Sequence, residues 1–190
     1  MSKDRKQIIL QSLARLLEER DATKVTTAVL AAESGITEAA LYRHFPSKRS
    51  IFLELFSFCD ETIFIKVGDI KKDSDIQPEE KVRLIFFFFS IFLEKNKGFA
   101  RILSREALGP NEQNVIDAVN QFYERLELSI KQLLSLKKDS LQLTAGQSAH
   151  LVTSIMEGII SRFIRNKFKE TPSAYIENYW LLISQSIFKG

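Results

Sequence analysis

The sequence predicts an all-α protein of about nine helices, and three observations lead to that fold class. Apolar residues recur every three or four positions through most of the 190-residue chain, which is the spacing of one helical face. Only seven Gly and four Pro interrupt the chain, so helix breakers are sparse. No segment shows a convincing alternation of apolar and polar residues, as a half-buried strand would.

The first quarter of the chain predicts three helices joined by short turns. The first covers residues 6–20 and carries an apolar stripe formed by Ile9, Leu10, Leu13, Leu16 and Leu17. Thr26 or Thr27 caps a short second helix, and Gly35 suits the left-handed residue that ends it. Thr37 caps the third helix. Two short helices at this spacing are typical of a helix–turn–helix.

We therefore expect two domains, a helix–turn–helix domain over residues 1–47 and a helical body over residues 48–190. Gly98 is expected to end the second helix of the body. The six helices predicted for the body are 48–67 (capped by Ser47), 78–96 (beginning at Pro78), 99–108, 112–137, a helix from the Thr144–Gln147 capping box to about residue 168, and a last helix after Pro172.

The positive charge is concentrated at the N-terminal end. Residues 1–49 contain nine Lys or Arg and six Asp or Glu, a net charge of +3, and the remaining residues contain 18 of each sign. A polyanion partner, if there is one, would bind this first quarter, and an excess this small favours nucleic acid only slightly over a solvated face. The composition, 45% hydrophobic and 27% charged, is that of a folded protein rather than a disordered one.

The sequence gives no indication of an enzyme, a metal site or a cofactor. His44 and His150 have no Cys or carboxylate companion at ligand spacing, and we find no phosphate-binding Gly-rich loop or nucleophile motif. The single Cys59 is expected to be a small buried apolar residue. The N-terminus has no signal-peptide pattern, and the longest apolar run, 84–93, is too short to span a bilayer, so we expect a cytoplasmic protein.

The third helix is the expected recognition helix, and its exposed residues are the expected DNA contacts. Tyr42, His44 and Lys48 can donate hydrogen bonds to phosphate, as can the hydroxyls at the start of the second helix. Thr37 can bond base edges, and Ala39 is small enough to approach a thymine methyl. The candidates are Thr26, Thr27, Thr37, Glu38, Ala39, Tyr42, Arg43, His44 and Lys48.

A simpler interpretation is that Tyr42 and Phe45 are core residues and that the neighbouring cations are only solvated. We accept it for Phe45. Arg43 is ambiguous, because it could also point toward the body.

The N-terminal residues resemble the TetR family of DNA-binding dimers. The family motif is matched by Thr26, Leu30, Ala31, Gly35, Ile36, Thr37, Leu41, Tyr42, His44, Phe45, Ser47 and Lys48. Further strings, among them FLEKNKGFARIL and EGIISRFIRNKFK, resemble the nucleoid-occlusion factors of that family. This resemblance implies a homodimer that binds palindromic sites on double-stranded DNA in the nucleoid. It also implies that the partner is the cell-division protein FtsZ, whose assembly the dimer antagonises.

A doubled apolar stripe in the helix that begins at Thr144 predicts the dimer interface. The stripe is wider than one contact needs, and Gly158 would let another helix approach closely. The alternative is that these residues form intrachain core only. The expected interface residues are Ile155, Gly158, Ile159, Phe163, Tyr179, Trp180 and Ile183.

The run LIFFFFSIFLE over residues 84–94 predicts either a fully buried helix or an apolar groove for a partner peptide. By resemblance to the nucleoid-occlusion factors, the FtsZ tail would contact Phe58, Lys66, Phe88, Lys95 and Asn96. Lys66 and Lys95 stand where the family usually has arginine. Ile91 stands where it has glycine, so the groove could be narrower here.

Two other functions remain open from the sequence. One is a TetR-type transcriptional repressor with a small hydrophobic effector in the helical body. The other is a helical adaptor that has lost DNA binding.

Overall fold

The computed structural model describes residues 2–19, 25–109 and 112–189, and within these ranges the chain forms nine α-helices and no β-strand. The predicted all-α class is confirmed. The only strand-like feature described is an isolated antiparallel bridge between Leu141 and Phe188. The helices are α1 Ser2–Glu19, α2 Thr27–Glu33, α3 Glu38–His44, α4 Lys48–Lys72, α5 Pro78–Lys95, α6 Lys97–Leu103, α7 Gln113–Ser135, α8 Ala145–Arg165 and α9 Ile176–Ile187.

The chain divides into two compact units. Unit 1 comprises Met1–Glu61 and Asn96–Val119, and unit 2 comprises Thr62–Lys95 and Asn120–Gly190. Unit 1 therefore combines the predicted helix–turn–helix with a later segment of the chain that contains α6. The functional boundary expected after residue 47 stays a prediction.

The core of unit 1 forms where the apolar stripe of α1 meets α2, α3 and α6. Leu13 and Leu17 of α1 are fully buried, as are Leu41 of α3 and Phe45 just after it. Burying such side chains stabilises the fold by about 1.5–3 kcal/mol each.

Close packing of α6 on α1 depends on Gly98, which is buried. A Cβ atom at this position would lie 2.7 Å from the carbonyl oxygen of Ala14 and 3.2 Å from its Cα. The sequence-based interpretation of Gly98 as the end of the preceding helix was wrong. Gly98 lies inside α6, and its lack of a side chain allows the two helix backbones to approach.

The core of unit 2 is built largely from aromatic rings. Phe86 and Phe89 of α5 are buried, and their ring centroids lie 6.2 Å from Trp180 and 6.0 Å from Phe122. Phe87 and Phe88 are only half-buried, and Ile91 is 40% exposed. Helix α5 is therefore not buried on all sides within unit 2, and it keeps a partly exposed apolar face.

Several helix ends differ from the predicted ones for local reasons. Helix α4 continues past residue 67 to Lys72, because Ile70 extends its buried stripe and the Lys81 ammonium donates to the Lys71 carbonyl at 2.8 Å. Helix α6 ends at Leu103, just before a left-handed residue at Arg105 (φ 64°). Helix α8 ends at Arg165, three residues early. Residue 20, the predicted end of the first helix, lies outside the described residues.

We expect Gly98→Ala to destabilise the protein. The new methyl group would press against backbone atoms of α1 that cannot rotate away, so the free energy of unfolding should fall by about 2 kcal/mol. Thermal unfolding would measure the change, with Gly68→Ala as the matched control. No atom lies within 4 Å of a Cβ built at Gly68, and alanine there should leave stability unchanged or improve it. Equal melting temperatures for the two variants would contradict the close contact.

Candidate nucleic-acid interface

Side-chain caps at both helix starts fix the geometry of the helix–turn–helix. The Thr26 hydroxyl oxygen accepts from the Val29 amide at 3.2 Å, and the Thr37 oxygen accepts from the Ala40 amide at 3.2 Å. Between the helices, Gly35 has φ +66°, which an L side chain rarely adopts. The predicted caps and the glycine turn are confirmed.

The outer face of α3 exposes the residues expected to reach DNA bases. Thr37, Glu38 and Ala39 at its N-terminal end are all exposed, and Tyr42 is 47% exposed one turn later. Arg43 is exposed as well. The buried Leu41 on the opposite side anchors the helix to the core, so this face is presented to solvent by a fixed support.

A chain of polar side chains links α2 to this face. The Thr27 hydroxyl donates to the Glu38 carboxylate, and the Tyr42 hydroxyl donates to the Thr27 oxygen at 3.4 Å. Three of the predicted DNA contacts are thus connected to each other. The Glu38 carboxylate also lies in the first turn of α3, where the positive end of the helix dipole favours it.

The expected phosphate contacts lie at the end of α3 and the start of α4. His44 and Lys48 are half-buried, and Phe45 is buried, as expected. The Lys48 ammonium lies 5.3 Å from the Phe52 ring centroid and 4.0 Å from the Glu112 carboxylate. Lys48 is therefore partly ordered by unit 1 and still reaches solvent.

A cleft of about 540 Å³ between α1 and α4 is a second feature of unit 1, and its exposed surface is mainly apolar. Two residues of the expected partner site, Phe58 and Asn96, line it together. A salt bridge of 3.3 Å between Lys6 and Glu54 lies among the lining residues. The full lining is Lys6, Gln7, Leu10, Gln11, Ala14, Glu54, Leu55, Phe58, Cys59 and Asn96.

Sequence reasoning missed the contribution of α1 to this cleft. It placed Leu10 on the core stripe, but Leu10 is half-buried and faces the cleft. Leu10 lies at the edge of the apolar stripe, and this position was the sequence feature that could have indicated its partial exposure. Cys59 in the cleft wall is only 3% exposed, as expected, and burial raises the pKa of its thiol to about 12. The thiol is therefore protonated at neutral pH and is a poor nucleophile.

The other three expected partner residues belong to unit 2. Lys66 of α4 and Lys95 of α5 are exposed, and Phe88 is half-buried with its ring 5.7 Å from that of Phe92. Ile91, the departure noted in the sequence, is exposed on the same helix. These residues present an apolar face with cations, all within unit 2.

The expected dimer residues are divided between core and surface of unit 2. Phe163 and Ile183 are 1% exposed, and Ile159 and Trp180 are 8% exposed, so these four are buried within one protomer. Ile155 and Tyr179 are half-buried, and Gly158 is exposed. Beside them on α9, Leu181 and Leu182 are 55% and 62% exposed, a surface that sequence reasoning did not name.

The described residues form neither a metal-binding cluster nor a membrane-spanning helix. Across residues 2–19, 25–109 and 112–189, no three His, Cys, Asp or Glu side chains are grouped so that they could bind a metal ion. In the same ranges no helix is long and apolar enough to cross a membrane.

Comparison with known proteins identifies the family. Residues 9–55 match the family described as bacterial regulatory proteins, tetR family, and residues 77–187 match the tetracyclin repressor-like C-terminal domain. The chain belongs to the TetR family. It is therefore a DNA-binding regulator with a helix–turn–helix, as the residues of α2 and α3 predicted.

Relatives named as nucleoid occlusion factors are similar to this chain over nearly its whole length. The nucleoid occlusion factor SlmA of Vibrio campbellii is 36% identical over 189 residues, which cover 97% of this chain and 96% of that protein. The SlmA of Vibrio cholerae is 37% identical over 193 residues, with the same coverage of both chains. The similarity thus extends through the helical body.

Solved structures of the family share the fold at low sequence identity. A TetR transcription regulator from Haloarcula marismortui superposes with a TM-score of 0.79 at 16% identity, covering 97% of this chain and 99% of that chain. The fatty acid degradation regulator FadR of Bacillus halodurans gives 0.77 at 14% identity, covering 94% and 93%. These structures support the TetR-like architecture alone.

We expect the double substitution Tyr42→Ala and Lys48→Ala to weaken DNA binding by a similar factor on every sequence, because phosphate contacts carry no base information. Each Lys48–phosphate contact that is lost should reduce the slope of log affinity against log salt by about 0.9. Fluorescence anisotropy with duplexes of different sequence would measure both effects. Lys72→Ala, at the other end of α4, is the charge-matched control. Unchanged DNA binding by the double variant would contradict these phosphate contacts, and a failure of the unaltered protein to bind any duplex would favour the adaptor.

Proposed function

We propose that this protein is a nucleoid-occlusion factor, a homodimer that binds palindromic chromosomal sites and prevents FtsZ from assembling a septum over the DNA. The supporting observation is the 36–37% identity to nucleoid occlusion factors over 97% of the chain. TetR-family proteins in general share the DNA-binding region, whereas this similarity continues through the body. The protein would act in the cytoplasm, at the nucleoid.

In this proposal α3 enters the major groove, with Thr37, Glu38 and Ala39 nearest the base edges. Their exposure and the support of α3 by Leu41 favour that orientation. Tyr42 and Lys48 contact phosphate and fix the register on the duplex. Thr26, Thr27, Arg43 and His44 are proposed as further contacts around the same helix.

We propose that the cleft of unit 1 receives part of the FtsZ tail. Phe58 and Asn96 were expected as partner contacts from the resemblance to nucleoid-occlusion factors. Both line a mainly apolar cleft that is large enough for side chains of a peptide. Phe58 is 68% exposed, and covering so large an apolar surface would favour binding. Asn96 could bond the peptide backbone.

Lys66, Phe88 and Lys95 of unit 2 are proposed as the remaining tail contacts. The two ammonium groups can attract carboxylates of an acidic peptide, but they lack the bidentate fork of the arginines that the family usually has. Ile91 adds a larger side chain to α5, the helix that carries Phe88 and Lys95. We therefore expect the tail of a matching FtsZ to be accommodated differently here than in relatives with a glycine at this position.

The proposed dimer pairs the α8 and α9 faces of two copies. Gly158 is exposed, and no atom lies within 4 Å of a Cβ built there, so a partner helix could approach its backbone. Leu181 and Leu182 supply exposed apolar surface on the neighbouring helix. The four buried residues Ile159, Phe163, Trp180 and Ile183 would support this surface from below.

We expect Phe58→Ala to weaken binding of an FtsZ C-terminal peptide about tenfold or more, because the ring is a large exposed apolar group in the cleft. Fluorescence anisotropy with the labelled peptide, with and without DNA, would measure the affinity. Leu136→Ala is the matched control, since Leu136 is 70% exposed and lies outside the cleft. If the unaltered protein shows no saturable binding in either condition, the FtsZ proposal fails and the repressor with a small effector is favoured.

Leu182→Glu should convert the dimer to monomers, because two carboxylates would meet in an apolar contact across the twofold axis. Sedimentation velocity would determine the mass. Leu143→Glu, at another exposed leucine (42%), should leave the dimer intact. A dimer that persists in Leu182→Glu would place the interface elsewhere, and a monomeric unaltered protein would contradict the proposed dimer altogether.

A further inference from the structure

A cluster of four basic side chains lies at the C-terminal end of α8 in unit 2. Residues 162–170 contain four basic residues and one acidic one, although the chain after residue 49 has no net charge. The basic cluster consists of Arg162, Arg165, Lys167 and Lys169, all exposed. These four residues, with Asn166 and Glu170, line an open concavity of about 650 Å³.

The single carboxylate of this segment is already engaged. Glu170 accepts a hydrogen bond from Arg162 Nε at 3.0 Å and another from the side-chain Nδ2 of Asn166 at 2.8 Å. Arg165, Lys167 and Lys169 form no ion pair or side-chain hydrogen bond with any residue in the described part of the chain. Their charge is therefore available to an anion from outside.

Lys167 occupies a backbone position that favours glycine. Its amide donates to the Ile164 carbonyl at 2.8 Å, and the Phe168 amide donates to the Phe163 carbonyl at 2.9 Å, which is the Schellman arrangement at a helix end. The Phe163 and Phe168 rings pack edge to face at 4.9 Å and complete the motif. Lys167 has φ 52° and the following Phe168 has φ 61°, both strained values for an L residue. Glycine in place of Lys167 would adopt its φ without strain, so the lysine is present against the preference of the backbone.

Helix-end electrostatics explain only part of the cluster. Arg162 and Arg165 lie in the last turn of α8, where cations interact favourably with the helix dipole. Lys167 and Lys169 follow the helix end, and one of them occupies the strained position. These two lysines extend the positive surface beyond the helix end, where the helix dipole no longer accounts for them.

The chemistry of the lining identifies the kind of anion. Every residue that lines this concavity is charged or polar, which suits repeated phosphate groups better than the apolar side chains of a peptide. A nucleic-acid backbone fits such a surface, because Lys and Arg bind phosphates and release counterions. We propose that the basic cluster is a second, sequence-independent contact for duplex DNA, separate from the recognition helix. One protein molecule could then bind two stretches of duplex.

The test uses the full chain carrying Tyr42→Ala and Lys48→Ala, which weakens the recognition-helix interface. Binding of a labelled random duplex of about 30 base pairs is measured by anisotropy at several salt concentrations. Adding Lys167→Gly should lower the affinity about threefold or more and reduce the salt slope by about 0.9. The same substitution should raise the melting temperature, because glycine removes the backbone strain. Weaker binding by a more stable protein would exclude unfolding as the cause.

Two charge-matched variants complete the experiment. Lys169→Gln should weaken duplex binding as Lys167→Gly does, whereas Lys131→Gln, on the exposed side of α7, should have little effect. The proposal would be overturned if Lys131→Gln lowered the affinity for the duplex as much as the cluster variants do. The proposal would also be overturned if Lys167→Gly weakened binding of the protein to phosphatidylglycerol vesicles but left its binding to the duplex unchanged. None of these measurements involves FtsZ. Their outcome is therefore independent of whether the protein binds the FtsZ tail peptide.

Discussion

The approach of α6 to α1 at Gly98 is the constraint on which unit 1 depends. Helix α1 packs on α2 and α3 and also on α6, so one helix supports both the helix–turn–helix and a segment from the middle of the chain. The Ala14 carbonyl leaves no room for a side chain at Gly98. Since Asn96 immediately precedes α6, the same contact also fixes one wall of the cleft between α1 and α4.

This arrangement makes the proposed DNA and partner sites share a scaffold without sharing residues. The face of α1 next to its buried stripe lines the cleft through Leu10, while the stripe itself supports α3. Lys48 has an internal partner in Glu112, yet its side chain is 31% exposed and the pair is 4.0 Å apart. The Glu112 carboxylate is buried but also accepts a hydrogen bond from the Gly109 amide at 2.8 Å, so it keeps a partner when Lys48 turns toward a phosphate.

The sequence predicted those features that depend on local chemistry. The caps at Thr26, Thr37 and Thr144 and the turn at Gly35 follow from neighbouring residues, and all of them are present. The role of Gly98 could not be predicted in this way, because the atom that excludes a side chain there belongs to α1, more than eighty positions earlier. The α1 wall of the cleft and the exposed leucines of α9 likewise become visible only when distant segments pack together.

Glu38 poses the sharpest physical question at the proposed DNA interface, because a carboxylate beside phosphates is repelled. The hydrogen bond from Thr27 orients this carboxylate toward α2, and the first turn of α3 favours its charge. A carboxylate fixed in that way can accept a hydrogen bond from the amino group of cytosine and rejects base edges that present only acceptors. Its contribution would be selectivity rather than affinity, since the repulsion is present on every sequence and only the correct base offsets it. The phosphate-directed residues Tyr42 and Lys48 would then supply the attraction that makes this discrimination possible.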